Sequence, residues 1–117
     1  MNDRELLELA ADAAGHIVNA RMQAERDAMG AGGVGLWVDG VSTGWNPLTD
    51  DGHALRLAVS LNMGISIHDG HCTAVAQVGI FCEERDNDTA KATRRAIVRA
   101  AAESGVMLQL PKSGEEK

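Results

Sequence analysis

The sequence predicts a domain of the α/β (α+β) class, in which helices pack on an antiparallel sheet of two hairpins to form a sandwich. Two observations lead to this fold class. The dipeptides Asp39-Gly40 and Asp69-Gly70 each separate two short β-prone runs, which is the usual signal of a tight hairpin turn. Three other stretches, near the beginning, the middle and the end of the chain, carry apolar residues at helical spacing. We therefore expect a sheet of four or five strands covered by helices.

Composition limits the classes of protein and partner. The 117 residues suffice for a single domain, predicted to span residues 1–110 and to be followed by a polar tail at residues 111–117. Aromatic residues make up only 3%, so the core must be aliphatic and rich in alanine. The formal net charge of −6 argues against non-specific binding to nucleic acid or to anionic membranes. With no apolar leader and with Cys72 and Cys82 interpreted as reduced thiols, we expect a soluble cytoplasmic protein.

The first helix begins at Asn2 or Asp3, whose side chains suit an N-cap, and ends at Gly15, which suits a left-handed cap. Its predicted buried stripe consists of Leu6, Leu7, Leu9, Ala10 and Ala13. Residues 16–29 are expected to be helical or irregular, although Ile17 and Val18 after a glycine are also compatible with an edge strand.

A glycine-rich connector follows, formed by Gly30, Gly32, Gly33 and Gly35. It lacks the lysine of a phosphate-binding loop and precedes a strand, so we interpret it as the entry to a hairpin. That first hairpin is expected from residues 34–38 and 41–45 around the turn at Asp39-Gly40. Trp37 and Trp45 are predicted to lie in the core.

Residues 45–62 form the stretch around which the rest of the chain is expected to be organised. Asn46-Pro47 ends the preceding strand, and Thr49, Asp50 and Asp51 provide capping oxygens for a helix. The predicted buried stripe of this helix is Ala54, Leu55, Ala58, Val59 and Asn62, widened by Leu57 and Leu61.

The second hairpin is better specified, because two alternating runs flank Asp69-Gly70. A two-residue turn places His68 opposite His71, Ile67 opposite Cys72, Ser66 opposite Thr73 and Ile65 opposite Ala74. One face is then apolar and consists of Ile65, Ile67, Cys72, Ala74, Ala76 and Val78. Gly79 is expected to form a bulge before the strand ends at residues 80–82.

The last helix is predicted to start at a cap among Asp86, Asn87 and Asp88 and to run to Gly105, with residues 106–110 as a short extension. One of its faces carries four cations, of which Lys91, Arg95 and Arg99 are spaced four residues apart and Arg94 lies beside them.

Three separated blocks resemble the small tailed-phage and prophage proteins of the phage ABA sandwich domain family. These blocks are the opening NDRELLELAADAAG, the run WNPLTDDG followed by ALRLAV, and ATRRAIVRAAAESG near the end. The resemblance covers the beginning of the chain and most of residues 45–105. It implies an α/β sandwich and a phage origin, and it implies no reaction.

The strongest candidate for a metal site is the hairpin tip, where His68 and His71 share a face. Cys72 is expected to point to the opposite face, and Cys82 lies further along the same ribbon, so these ligands do not converge. His16 and His53 are expected to be solvated. The adjacent pairs Asp50-Asp51 and Glu83-Glu84 are explained by capping and solubility. We therefore expect no metal, no cofactor and no catalytic residues.

The best candidates for ligand binding are the basic residues Arg94, Arg95, Arg99, Lys91 and Arg56, because guanidinium groups suit phosphate and carboxylate recognition. The alternative is a solvated face, or pairing with Glu83, Glu84 and Asp88.

The sequence therefore predicts a phage-encoded, non-enzymatic accessory protein of the host cytoplasm, with counter-defence as its role. It would either block a host protein through an apolar or acidic surface that includes an exposed Trp37, or sequester a small phosphate-bearing ligand, with a homo-oligomer in the second case. The alternatives are a small metal-dependent hydrolase using His68 and His71, and a virion or morphogenesis component.

Overall fold

A computed structural model describes residues 2–29, 35–39, 44–84 and 87–109. Within these residues the chain forms four helices and one antiparallel sheet of three strands in the order β1-β2-β3, with helices packed on it. The predicted fold class is confirmed, although the described part of the sheet has fewer strands than expected. The elements are α1 (Asp3–Ala14), α2 (Ala20–Ala28), α3 (Asp51–Ser60), β1 (Gly64–His68), β2 (His71–Ala76), β3 (Gly79–Glu84) and α4 (Thr89–Gln109).

The prediction that the chain is organised around residues 45–62 is wrong. Helix α4 is the central element, because it contacts α1, α3 and all three strands, and it packs chiefly against α1, β2 and β3. Its inner residues are mostly alanine, so neighbouring backbones can approach closely. The core that surrounds it includes Leu6, Leu7, Ala10, Leu36, Trp45, Leu57, Ala74, Ile97, Val98 and Ala101. No helix in the described part of the chain has the length and apolar character needed to cross a membrane.

Helix α1 begins and ends as the sequence predicts. The Asn2 side chain accepts a hydrogen bond from the Glu5 backbone N–H, and the Glu5 side chain accepts one from the Asn2 N–H, which completes a capping box. At the other end Gly15 has a φ of 77° and closes the helix in the left-handed conformation.

The predicted end of α4 at Gly105 is wrong, since the helix continues without a break to Gln109. Gly105 is buried where α4 meets α1, and a Cβ atom there would overlap the carbonyl oxygen of Leu9. The glycine therefore allows close helix packing instead of ending the helix. Asp88 caps the N-terminus by accepting a hydrogen bond from the Lys91 N–H.

The register of the hairpin formed by β1 and β2 is confirmed at all four predicted pairs. The expected bulge at Gly79 is wrong. The chain reverses at Gln77 and Val78, Ala76 pairs with Gly79, and residues 79–84 return as the separate strand β3. Gly79 has a φ of 152°, which a residue with a side chain rarely adopts, and this makes the second tight reversal possible.

The described residues of the first predicted hairpin, 35–39 and 44–45, do not join the sheet, and its residues 34 and 41–43 lie outside the described part of the chain. Leu36 and Trp45 form an isolated antiparallel bridge, and Val38 forms another with Val18. Residues 16–29 thus combine both interpretations of the sequence, with one bridging residue followed by α2, which Asn19 caps. The rest of the connector at residues 30–33, Gly40 of the turn, Asp86 and the tail from residue 110 lie outside the described residues.

The turn before α3 encloses a small polar corner. Trp45 is 3% exposed, and its ring lies 5.0 Å from that of His16. His53 accepts a hydrogen bond at Nδ1 from the Asn46 N–H, at 3.0 Å. The expectation that these histidines are solvated is therefore wrong. Burial, and then the neighbouring His53, hold the pKa of His16 below its ordinary value of 6.5.

Candidate functional site

The structure divides the predicted cation stripe of α4 into two groups that point to opposite sides of the helix. Arg94 reaches the start of α3 and the turn before it, where its Nε donates to the carbonyl of Leu48 at 2.8 Å and its Nη1 donates to Asp51 at 2.7 Å. Its side chain is only 16% exposed. Arg94 therefore fastens α4 to the start of α3.

Arg95 and Arg99 lie on the other side of α4, against α1 and β3. Arg95 pairs with Asp3 at 3.2 Å, and Arg99 pairs with Glu83 and also donates to the carbonyl of Cys82. The Arg95 Nε lies 4.0 Å from the second oxygen of Glu83, so one carboxylate, 20% exposed, serves both guanidinium groups. These arginines act as structural links between layers.

The remaining two predicted residues do not complete a common site. Lys91 is exposed and lines, together with Arg95, a depression of about 320 Å³ that also includes Glu83, Glu84 and Asp88. Arg56 is exposed on α3. The five candidate cations therefore do not converge on one site. Lys91 and Arg95 share this depression, and Arg95 and Arg99 share Glu83, whereas Arg94 and Arg56 lie apart from them.

The histidine pair at the hairpin tip is close, with the rings of His68 and His71 stacked at 4.7 Å between centroids. As predicted, Cys72 faces the other way. It is fully buried, and its Sγ lies 3.3 Å from the Thr93 hydroxyl, whereas Cys82 is exposed. Among the residues that the structure describes, no three His, Cys, Asp or Glu side chains are placed to hold a metal ion.

An open apolar groove of about 510 Å³ lies between α3, β1 and α4, and we call it the α3–β1 groove. Its aliphatic lining residues are Ala54, Leu55, Ile65, Ile67, Ala90 and Ile97. The ion pair of Asp51 and Arg94 also borders the groove, together with Thr89 and Thr93. Its volume is in the range of typical binding clefts.

The groove exists because α4 lies under β2 and β3 and barely reaches β1. Cys72 and Ala74 on β2 are 0% exposed, but their partners Ile67 and Ile65 on β1 are 58% and 37% exposed. The predicted apolar face of the hairpin is therefore covered on one strand and open on the other.

Helix α3 adds a second exposed row of apolar side chains. Its Ala54, Leu57 and Ala58 are buried, whereas Leu55 is 62% exposed and Val59 is 67% exposed. Leu55 and Val59 are four residues apart, so they lie along one side of the helix. The prediction that both belong to the buried stripe is wrong, because α4 covers only the other side of α3.

One feature of the sequence could have revealed this groove. The apolar residues of α3 span too wide an arc for a helix that rests on one neighbour. A second apolar row beside the core row is a recognised sign of another contact surface. The cations of α4, in contrast, looked like ligand-binding residues, because the groups that Arg94, Arg95 and Arg99 bind lie far away in sequence.

The tryptophans also differ from each other. Trp45 is buried, as predicted, whereas Trp37 is half-buried, and the guanidinium of Arg26 lies 4.8 Å from the ring centroid of Trp37.

No known family, no curated protein and no solved structure matches this chain.

Proposed function

We propose that this chain is a non-enzymatic, phage-encoded accessory protein that acts in the host cytoplasm by binding a host protein, with counter-defence as its role. The phage origin rests on the three sequence blocks that resemble the ABA sandwich domain family. The binding mode rests on one observation, the α3–β1 groove. Leu55, Ile65 and Ile67 are large apolar side chains left exposed around one concave surface, which is characteristic of a protein contact.

The groove and the overall charge together define the partner's chemistry. An apolar side chain, such as leucine or phenylalanine, would fill the aliphatic part of the groove. The chain carries a net charge of −6, which favours a partner with basic residues around that anchor and speeds its approach. The proposed partner surface is therefore an apolar anchor with a basic rim.

The ligand-sequestering mode has less support. A phosphate that bound Arg94, Arg95 or Arg99 would have to displace the carboxylates of Asp51, Asp3 or Glu83. Arg94 also donates to the Leu48 carbonyl, which would lose its partner. The exposed apolar residues need no such rearrangement, so the blocking mode is favoured, with the contact surface at the groove instead of at Trp37.

The deciding experiment compares two exposed apolar residues, one inside the groove and one outside it. Tagged protein is expressed in infected host cells and purified, and co-purifying proteins are quantified for the wild type, Leu55→Ser and Ile80→Ser. Ile80 is 71% exposed and lies outside the groove, so it is a matched control. We expect one host protein to be retained by the wild type and Ile80→Ser and reduced at least about tenfold with Leu55→Ser, a loss of roughly 1.4 kcal/mol.

Binding to the isolated host protein must then be reproduced with purified components. Retention of that protein by Leu55→Ser, or its loss with Arg95→Ala instead, would exclude the groove as the contact surface. Native mass spectrometry of the same preparations separates the alternative functions. A bound phosphate-bearing ligand indicates sequestration, stoichiometric zinc indicates a hydrolase, and recovery in purified particles indicates a virion component.

A further inference from the structure

The sheet has an exposed edge at β1 whose geometry fits a second copy of the same strand. In the described part of the chain no strand lies beyond β1, and all five of its residues are exposed. The strand reads Gly-Ile-Ser-Ile-His, so an isoleucine stands on each side of the central Ser66. We propose that two copies of the chain pair through antiparallel β1 strands, with Ser66 of one copy opposite the partner's Ser66.

The turn at Asp69-Gly70 determines which backbone groups face outward. A two-residue hairpin is closed by a pair that exchanges both backbone hydrogen bonds, here His68 with His71, and such pairs alternate along the ladder. Ser66 and Gly64 therefore bond to β2. The N–H and C=O groups of Ile65 and Ile67 must then point away from β2, towards the open edge.

The second turn gives the same result independently. Ala76 and Gly79 close the turn at Gln77 and Val78, so Ala76 and every second residue before it bond to β3. Thr73 does not belong to the series Ala76, Ala74 and Cys72, so its backbone groups must bond to β1, where its partner is Ser66. Both turns thus assign the outward groups to Ile65 and Ile67.

A two-fold axis through Ser66 brings these outward groups together. Ile65 then lies opposite the partner's Ile67, and Ile67 lies opposite the partner's Ile65, so the two pairs exchange four hydrogen bonds. Residues that face each other across an antiparallel pair share a face of the sheet. The register that satisfies the backbone therefore also joins the isoleucines of both copies into one apolar row.

The chemistry of β1 is compatible with contact between two acidic chains. The strand contains no Asp, Glu, Lys or Arg, although the chain carries a net charge of −6. It also lacks the lysine, proline or bulge with which proteins protect an edge strand from pairing. The backbone edge that is free to pair therefore places no carboxylate of β1 against a carboxylate of the partner's β1.

The dimer would have a six-stranded sheet with the helices of both copies on the same face, because the axis is perpendicular to the sheet. The partner's Ile67 then lies beside Ile65 at the floor of the α3–β1 groove. Each copy contributes to the other's binding surface, and the two grooves open on the same side. This inference stands apart from the proposed function, since pairing uses the backbone edge and not the contents of the groove.

The test places like charges at the axis. Ser66 is exposed and lies on the face away from the helices, so a charged residue there leaves the core untouched. By sedimentation equilibrium from roughly 10 µM to 1 mM, a range suited to a small interface, we expect the mass of the wild type to rise from the monomer value of 12.4 kDa towards twice that value. Ser66→Glu and Ser66→Lys alone should remain monomeric because each variant opposes identical charges.

An equimolar mixture of the two variants supplies the decisive observation. The carboxylate introduced in one copy would face the ammonium group introduced in the other, so association should be restored. Thr73→Glu is the matched control, since Thr73 lies on the same face of the inner strand β2. It should associate as the wild type does. A wild type that stays monomeric at about 1 mM, or a Ser66→Glu variant that associates normally, would overturn the pairing.

A cross-link tests the register itself. Facing residues of a non-hydrogen-bonded antiparallel pair have Cα atoms about 4.5 Å apart, within the range for a disulfide. Ser66→Cys in a Cys82→Ser background, which removes the exposed thiol, should give a covalent dimer under mild oxidation. The same substitution at Thr73 should not. Equal cross-linking at both positions would contradict the register.

Discussion

Apolar residues of neighbouring elements lie on both sides of α4, but those on one side are buried and those on the other side remain exposed. On the α1 side, Ala10, Ala11, Ala101 and Ala102 are at most 1% exposed, and Gly105 lets the backbones touch. On the α3–β1 side the large residues Leu55 and Ile67 remain more than half exposed, around an open groove.

The difference shows that residue size, and not hydrophobicity alone, decides which surface is sealed. Small residues let two helices approach until no space remains between them. Among the described residues, no element packs over the large side chains on α3 and β1, because α4 packs chiefly against α1, β2 and β3. A surface of this kind is available for a partner, whereas the alanine-rich surface is not.

The largest effect is expected from a substitution in the sealed contact between α1 and α4. In Gly105→Ala the new Cβ would overlap the Leu9 carbonyl oxygen, so α1 must shift away from α4. Overpacking of this kind costs about 3 kcal/mol, more than the gain of about 1 kcal/mol from better helix propensity. Chemical denaturation should show a net loss of at least about 2 kcal/mol in the free energy of unfolding. Gly64→Ala, whose Cβ would meet nothing closer than 3.9 Å, is the control and should change it little.

The second prediction concerns the effect of low pH on His16, which follows α1 and packs on Trp45. The folded-state pKa of His16 is depressed by burial, so below pH 6.5 the unfolded chain binds more protons than the folded chain. The free energy of unfolding should therefore fall as the pH drops below 6.5 and through the folded-state pKa. Denaturation of the wild type and His16→Gln between about pH 7.5 and 5 measures this loss, which should be smaller in the variant. An equal loss in both proteins would remove His16 from the explanation.

The smallest expected effect belongs to the open side. Val59 is 67% exposed, so Val59→Ala should change the free energy of unfolding by no more than about 0.5 kcal/mol. Leu57, two residues earlier on the same helix, is 2% exposed, and Leu57→Ala should cost about 3 kcal/mol. Thermal and chemical denaturation of both variants would establish the contrast. A large loss at Val59 would mean that this side is also part of the core.

Much of the architecture could be predicted from the sequence because its signals are local. The capping box of Asn2 and Glu5, the cap at Asp50 and the left-handed Gly15 involve partners within four residues. The Asp69-Gly70 turn likewise determines the register of β1 on β2. The Asp50 cap is reflected in its titration as well, since the His53 N–H bonded to its carboxylate holds the pKa of Asp50 below its ordinary value.

The candidate site could be predicted less well from the sequence, because the role of each of its residues depends on partners that are remote in sequence. Arg94 looks like a ligand-binding cation until its bond to Leu48, 46 residues away, is known. Arg95 finds Asp3 at a separation of 92 residues. Leu55 and Val59 look like core residues, since helical spacing shows that they share a side but cannot show whether anything covers it.

The sequence by itself determined where the helices with clear caps begin and where the chain reverses at Asp69-Gly70. Caps and tight turns depend on hydrogen bonds between residues that are neighbours in the sequence. The tertiary structure alone decided that Gly105 is a contact and not a helix end, that β3 returns beside β2, and that the arginines are bound by carboxylates. It also decided which apolar face stays open. These outcomes depend on the distance between packed elements, and that distance is set by side-chain volumes from distant parts of the chain.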